Sequence, residues 1–121
     1  MGKVFVSHVR QDQKKVGAVL KELVRRQLIN TSDRTNTFEP VPGSDIRGDL
    51  KQAIRDSSSM VVLWSEAARQ SPWVNYEMGL ADALGIPIVA VTVDGGNQPP
   101  PAELSDVRMI DLEAETGMAR P

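Results

Sequence analysis

The sequence predicts an α/β fold built on a parallel sheet, and three observations carry that reading. Short apolar runs rich in β-branched residues recur along the chain. Segments with helical spacing of apolar positions separate them. The middle runs are apolar without alternation, as expected of strands covered on both faces. A chain of 121 residues fits one domain, 1–121, with room for a substantial core.

The elements follow in order. "KVFVS" (Lys3–Ser7) is the first strand. From Asp12 to Ile29, Val16, Val19, Leu20, Leu23 and Val24 keep helical spacing with charges opposite. After the polar "NTSDRTN", "TFE" is a weakly patterned second strand. The Pro/Gly loop "PVPGSD" offers Ser44 or Asp45 as a cap for a helix carrying Ile46, Leu50, Ala53 and Ile54. "SMVVLW" (Ser59–Trp64) is a central strand, and "SPWVNYEMGLADALG" a helix opened by a Ser cap and Pro and stopped at Gly85. "IPIVAVTV" (Ile86–Val93) is the fourth strand, and "VRMIDL" (Val107–Leu112) a fifth, edge strand.

Five strands with helices between the first four suggest a flavodoxin-like, doubly wound sheet, for which the order 2-1-3-4-5 is common at this size. The tail "EAETGMARP" is short and weakly patterned, so a last helix is expected to be reduced or absent. In such folds ligands bind beyond the carboxyl ends of the strands. The segments to inspect are "SHVRQD", "EPVPGSDIRG", "SEAARQSPW" and "DGGNQPPPAE".

Composition narrows the chemistry. A net charge of −2 and a pI near 5.4 give no footing for nucleic-acid or anionic-membrane binding. With no cysteine there are no disulfides, thiolate metal sites or cysteine nucleophiles, and His8 is the only histidine. No metal is therefore expected, nor a Ser-His-Asp triad. No signal-peptide layout and no apolar run of about 18 residues is evident, so a cytoplasmic location is expected.

One residue breaks its own pattern. Advancing about 100° per residue from Trp73, the positions Leu80, Trp73, Leu84, Ala81, Val74 and Met78 fill an arc from about −20° to about 140°. Glu77 falls at about 40°, inside that arc. Burying an unpartnered carboxylate costs several kcal/mol, so it is met with a raised pKa or with hydrogen-bonding partners. Two readings stand: a functional carboxylate at a pocket mouth, or a side chain that bends to solvent or pairs with Arg47 or Arg69. Trp73 likewise reads either as a core aromatic or as a pocket wall.

The residues also carry a resemblance. "VFVSHVRQD" resembles the "FISYS-x-x-D" opening of Toll/interleukin-1 receptor (TIR) domains, and "PVPGSDIRGDLKQAIRDSSSM" their BB loop and second helix. The W-x-x-x-E spacing of Trp73 and Glu77, followed by G-x-x-x-A-x-x-x-x-P-[IV]-[IV]-x-V, resembles their third helix and fourth strand, especially in prokaryotic members. The likeness runs from about Lys3 to Leu112 and is weakest around the second strand. Many TIR domains are NAD+ glycohydrolases whose catalytic glutamate occupies the last position of that motif, here Glu77.

The resemblance implies that Glu77 contacts the nicotinamide ribose and stabilises an oxocarbenium-like centre, with NAD+ as substrate and no cofactor. Ser7, His8 and Arg10 would line the same pocket with Trp73, and Asp45 and Arg47 would stand at its BB-loop side. His8 departs from the usual tyrosine after the Ser. A short tail would leave a sheet edge open and favour self-association, with the BB loop (residues 40–48) meeting other copies or other TIR domains. Two alternatives are a non-catalytic scaffold acting through that loop and a nucleoside deoxyribosyltransferase-like N-glycosidase, which also uses a helix-borne glutamate.

Overall fold

The computed structural model describes residues 2–30, 34–36, 46–93 and 107–111. The strands β1 (Lys3–Ser7), β2 (Arg34–Asn36), β3 (Ser59–Trp64), β4 (Ile88–Thr92) and β5 (Val107–Asp111) form one sheet in the order β2-β1-β3-β4-β5. All four pairings are parallel. The helices are α1 (Val16–Arg25), α2 (Ile46–Arg55), α3 (Glu66–Arg69) and α4 (Pro72–Ala83), with a 3-10 turn at Arg10–Lys15 before α1.

The continuous apolarity of the central strands follows from covering on both faces. Met60, Val62 and Trp64 of β3 join Phe5, Leu50, Ile54, Val74, Met78 and Ala81 in one cluster, under α2 and α4. Val61 and Leu63, pointing the other way, join Val4, Val6, Val91 and Ile110 beneath Val19 and Leu23 of α1. The side-chain period of two thus splits each strand between two cores. Leu50, Ile54, Val74 and Met78 are fully buried, each contributing about 1.5–3 kcal/mol by removal from water.

Helix ends explain where the chain turns back. In α4, Ser71 Oγ accepts the Val74 N–H at 3.1 Å, and Pro72 occupies the first turn. At its other end Gly85 adopts φ +74°, the Ile86 N–H reaches Ala81 O at 2.8 Å, and the Gly85 N–H reaches Asp82 O at 3.1 Å. This is a Schellman closure, and it aims the chain straight into β4. α1 ends the same way: Gln27 sits at φ 63°, and the Leu28 N–H donates to Leu23 O at 2.9 Å. A non-glycine residue there is uncommon.

Three expectations need adjusting. The described second strand is Arg34–Asn36, in register with Lys3, Val4 and Phe5, just before the "TFE" stretch, which lies outside the described residues. An edge strand is placed by the ladder of its single neighbour, so its own hydrophobicity is a poor guide. The first helical segment begins as a 3-10 turn at Arg10 and its α-helix closes at Arg25, short of Ile29. The segment after β3 holds the short helix α3, capped by Ser65, to which the periodicity assigns no element. The proposed caps Ser44 and Asp45, and the tail 112–121, lie outside the described residues.

Candidate functional site

The carboxyl ends of β1 and β3 converge on the first half of α4. Val74, Glu77, Met78 and Ala81 form its buried stripe, at i, i+3, i+4 and i+7. Glu77 therefore enters the interior with its apolar neighbours, at 2% exposure. It stands about 7.5 Å along the helix from Pro72, at the level where β1 ends.

Ser7, the last residue of β1, donates its hydroxyl to Glu77 Oε1 at 2.6 Å. Ser7 is itself buried, at 1% exposure. The Trp73 side chain, one helical turn before Glu77, also hydrogen-bonds the carboxyl, with its indole N–H as donor. Among the described side chains no lysine or arginine pairs with Glu77. The solvent-facing alternative for Glu77 is thus excluded by its burial.

These surroundings set the electrostatics. Burial pushes the Glu77 carboxyl up to about 7, against the opposing effect of the bonds from Ser7 and Trp73. A neutral hydroxyl and a neutral indole stabilise the anion only in part, because neither brings a positive charge. The group can hold or release a proton near neutrality, and once ionised it offers unneutralised negative charge in a dry wall. Trp73 is half-buried and its ring lies 6.0 Å from that of Tyr76, tilted by 35°; Tyr76 is 39% exposed.

The remaining expected residues divide. His8 follows Ser7 and is half-buried, and Arg10 is exposed at the start of the 3-10 turn. Arg47 falls in the first turn of α2, with its side chain outside the described residues, and Asp45 lies outside them altogether. The structure thus brings together Ser7, Trp73 and Glu77. Tyr76, which was not among the expected site residues, packs against Trp73, and Asp12 and Ser65 pair with each other at the exits of β1 and β3. Asp12 had a visible signal as the acidic residue that closes "SHVRQD".

A concave surface of about 440 Å³, lined by Asp82, Ile86, Pro87 and Arg108 among others, lies at the amino ends of β4 and β5. That is the opposite pole of the sheet from Glu77 and shares no residue with its surroundings. Among the described residues no group of acidic or histidine side chains could hold a metal ion. None of the described helices is long and apolar enough to cross a membrane.

Comparison with known proteins agrees with this architecture. A family model described as "TIR domain" matches residues 4–120. No curated protein matches the chain. Among solved structures, a TIR-domain chain of the activated Roq1 resistosome, which directly recognizes the pathogen effector XopQ, is similar at a TM-score of 0.56 and 24% identity. The match covers 79% of this chain and 60% of that one, and it shows a shared fold.

Proposed function

The chain belongs to the TIR-domain family, and from that premise we propose that it is an NAD+ glycohydrolase with Glu77 as its catalytic residue. The observation that carries the reading is the buried Glu77 carboxyl, held by Ser7 and Trp73 at the carboxyl end of the sheet. That is where a parallel α/β sheet presents ligands.

The chemistry suits a single carboxylate. In NAD+ the nicotinamide nitrogen is already cationic, so the bond from it to the ribosyl carbon breaks with the electron pair returning to the ring. Nicotinamide leaves neutral, and no second acid is required as it is for ordinary glycosides. Positive charge then develops on the ribosyl carbon and ring oxygen, where an ionised Glu77 in low dielectric stabilises it strongly. Glu77 also accepts from the ribose hydroxyls, while Ser7, His8 and Arg10 line one wall and Trp73 the other. Water captures the ribosyl carbon and loses a proton to give ADP-ribose, or an adenine nitrogen captures it to give a cyclic isomer.

Asp45 and Arg47 belong to the BB-loop side of the site, and residues 40–48 mediate self-association or contact with other TIR domains. NAD+ is substrate here, without a further cofactor, and the setting is cytoplasmic. Nucleic acid and membrane are not partners in this reading.

The test is incubation at high concentration with a crowding agent, following NAD+ loss and nicotinamide release beside Glu77→Ala. Turnover in the wild type and its loss in the variant are expected; turnover surviving in the variant removes the role of Glu77. A wild type inert in every assembled state identifies a scaffold instead. Release of free base from nucleosides, with NAD+ intact, identifies a deoxyribosyltransferase-like enzyme.

A further inference from the structure

A second buried serine–carboxylate bond lies beside the first. Ser65 Oγ donates to Asp12 Oδ2 at 2.6 Å, and the two residues are 3% and 6% exposed. The chemistry assigned to Glu77 uses neither of them. The Asp12 carboxylate stands on the 3-10 turn that leaves β1, and Ser65 immediately follows β3.

From this pair, hydrogen bonds run to both sides of Glu77. The Asp12 N–H donates to Val9 O at 2.9 Å, two residues beyond Ser7. The Ser65 hydroxyl accepts the Ala68 N–H at 3.1 Å, the Ser71 N–H donates to Ala68 O at 3.0 Å, and Ser71 Oγ accepts the Val74 N–H at the start of α4. The bond from Ser7 to Glu77 closes this circuit. Lys15 adds the residue that follows β4: its ammonium lies 3.8 Å from Asp12 Oδ1 and donates to Val93 O at 3.1 Å.

Holding two loops together does not by itself call for a carboxylate. A well-packed apolar contact would do so without the desolvation cost of a buried charge. What the short charge-assisted bond adds is direction and distance, since its strength falls steeply away from ideal geometry. It ties the turn that leaves β1 to the residue that follows β3, and Ser65 in turn caps the short helix leading to α4.

We propose that Asp12 and Ser65 are positioning residues, whose bond holds the β1 exit loop and the start of α4 at the spacing Glu77 needs to meet its substrate. For its effect on turnover this rests on the NAD+ reading above; for its effect on Glu77 it does not. Misplacing a reacting group by about 1 Å costs up to about a hundredfold in rate.

The test compares wild type with Ser65→Ala, Ser65→Thr and Asp12→Glu, each well below its melting midpoint. Asp12→Glu keeps the charge and lengthens the reach by one methylene, so it serves if the alanine variant does not fold. In Ser65→Ala and Asp12→Glu, kcat for NAD+ is expected to fall about tenfold or more, with KM changing less, and Ser65→Thr to retain most of the activity. A carbon-13 titration of the Glu77 carboxyl supplies a readout independent of turnover. Its midpoint, about 7 in the wild type, is expected to drop in those two variants as water enters the loosened mouth. A fall in melting midpoint with kcat and the Glu77 midpoint both unmoved would overturn the proposal and leave a merely structural pair. If the wild type turns over no NAD+, the function above fails, and the carboxyl titration alone decides whether Asp12 and Ser65 position Glu77.

Discussion

Two carboxylates lie buried at the same end of this sheet, each bonded by a serine hydroxyl at 2.6 Å, yet their surroundings differ. Asp12 has the Lys15 ammonium at 3.8 Å, and its serine is also the cap of α3. Its charge is met, and its partners are committed to backbone. Among the described residues Glu77 has only neutral donors, from Ser7 and Trp73, and apolar neighbours in Val74 and Met78 along α4. What separates the two among the described residues is therefore the neutralisation of charge, since the serine bond is common to both, and the roles proposed for them rest on that difference.

The largest expected effect breaks the comparison at the level of chemistry. Glu77→Ala is expected to lower NAD+ cleavage by about a thousandfold or more, the size of losing a principal electrostatic stabiliser. Asp12→Glu is expected to cost nearer tenfold. Nicotinamide release at saturating NAD+ measures both. Equal losses would erase the distinction between the two carboxylates.

Stability should separate the two carboxylates by sign. Burial raises Glu77 from 4.5 to about 7, so the unfolded chain ionises first as pH rises, and native stability falls between those values. The gap corresponds to about 3 kcal/mol, fully present below pH 4.5 and lost above pH 7. Glu77→Gln is thus expected to stabilise the fold at pH 8, by at most that amount, and to be near neutral at pH 4. Urea denaturation at the two pH values checks it. Ser65→Ala should do the opposite, destabilising by about 1–3 kcal/mol at pH 8 by stranding a buried carboxylate.

Smaller effects sharpen the picture. Ser7→Ala removes a bond that favours the ionised form of Glu77, so the carboxyl midpoint should move above 7, at a stability cost of about 1 kcal/mol. The smallest change belongs to Glu22, on the outer side of α1. Hydrogen bonds from Arg25 and Arg26 hold it down at about 2, so its contribution is present above pH 4.5 and lost as pH falls toward 2. Glu22→Gln should lower the urea midpoint at pH 7 only slightly, because these are surface ion pairs and Arg25 stands largely in solvent.

Much of this is legible in the sequence, and the gaps have physical causes. The stop at Gly85 was readable because glycine advertises the left-handed conformation; the same closure at Gln27 was not, because nothing in a glutamine does. The cap of α3 was readable in principle, as a serine followed by a glutamate, but a single turn has too few residues to show a period. The described β2 falls in the polar Arg34–Asn36, ahead of the expected stretch, because an edge strand answers to its neighbour. The wheel placed Glu77 in the apolar arc of α4, where it is buried.

By itself, then, the sequence determined the elements whose signals are local. These are the apolar runs of β3 and β4, the helical periods of α1, α2 and α4, and the inward-facing carboxylate on the last of them. Only the tertiary structure decided that Ser7, seventy positions before Glu77, would supply its hydrogen bond, and that Ser65 would meet Asp12. Periodicity fixes which face a side chain takes within its own element. Which partner waits on that face depends on the crossover that lays β1 beside β3 and α4 across both, and that arrangement is settled by packing two cores at once.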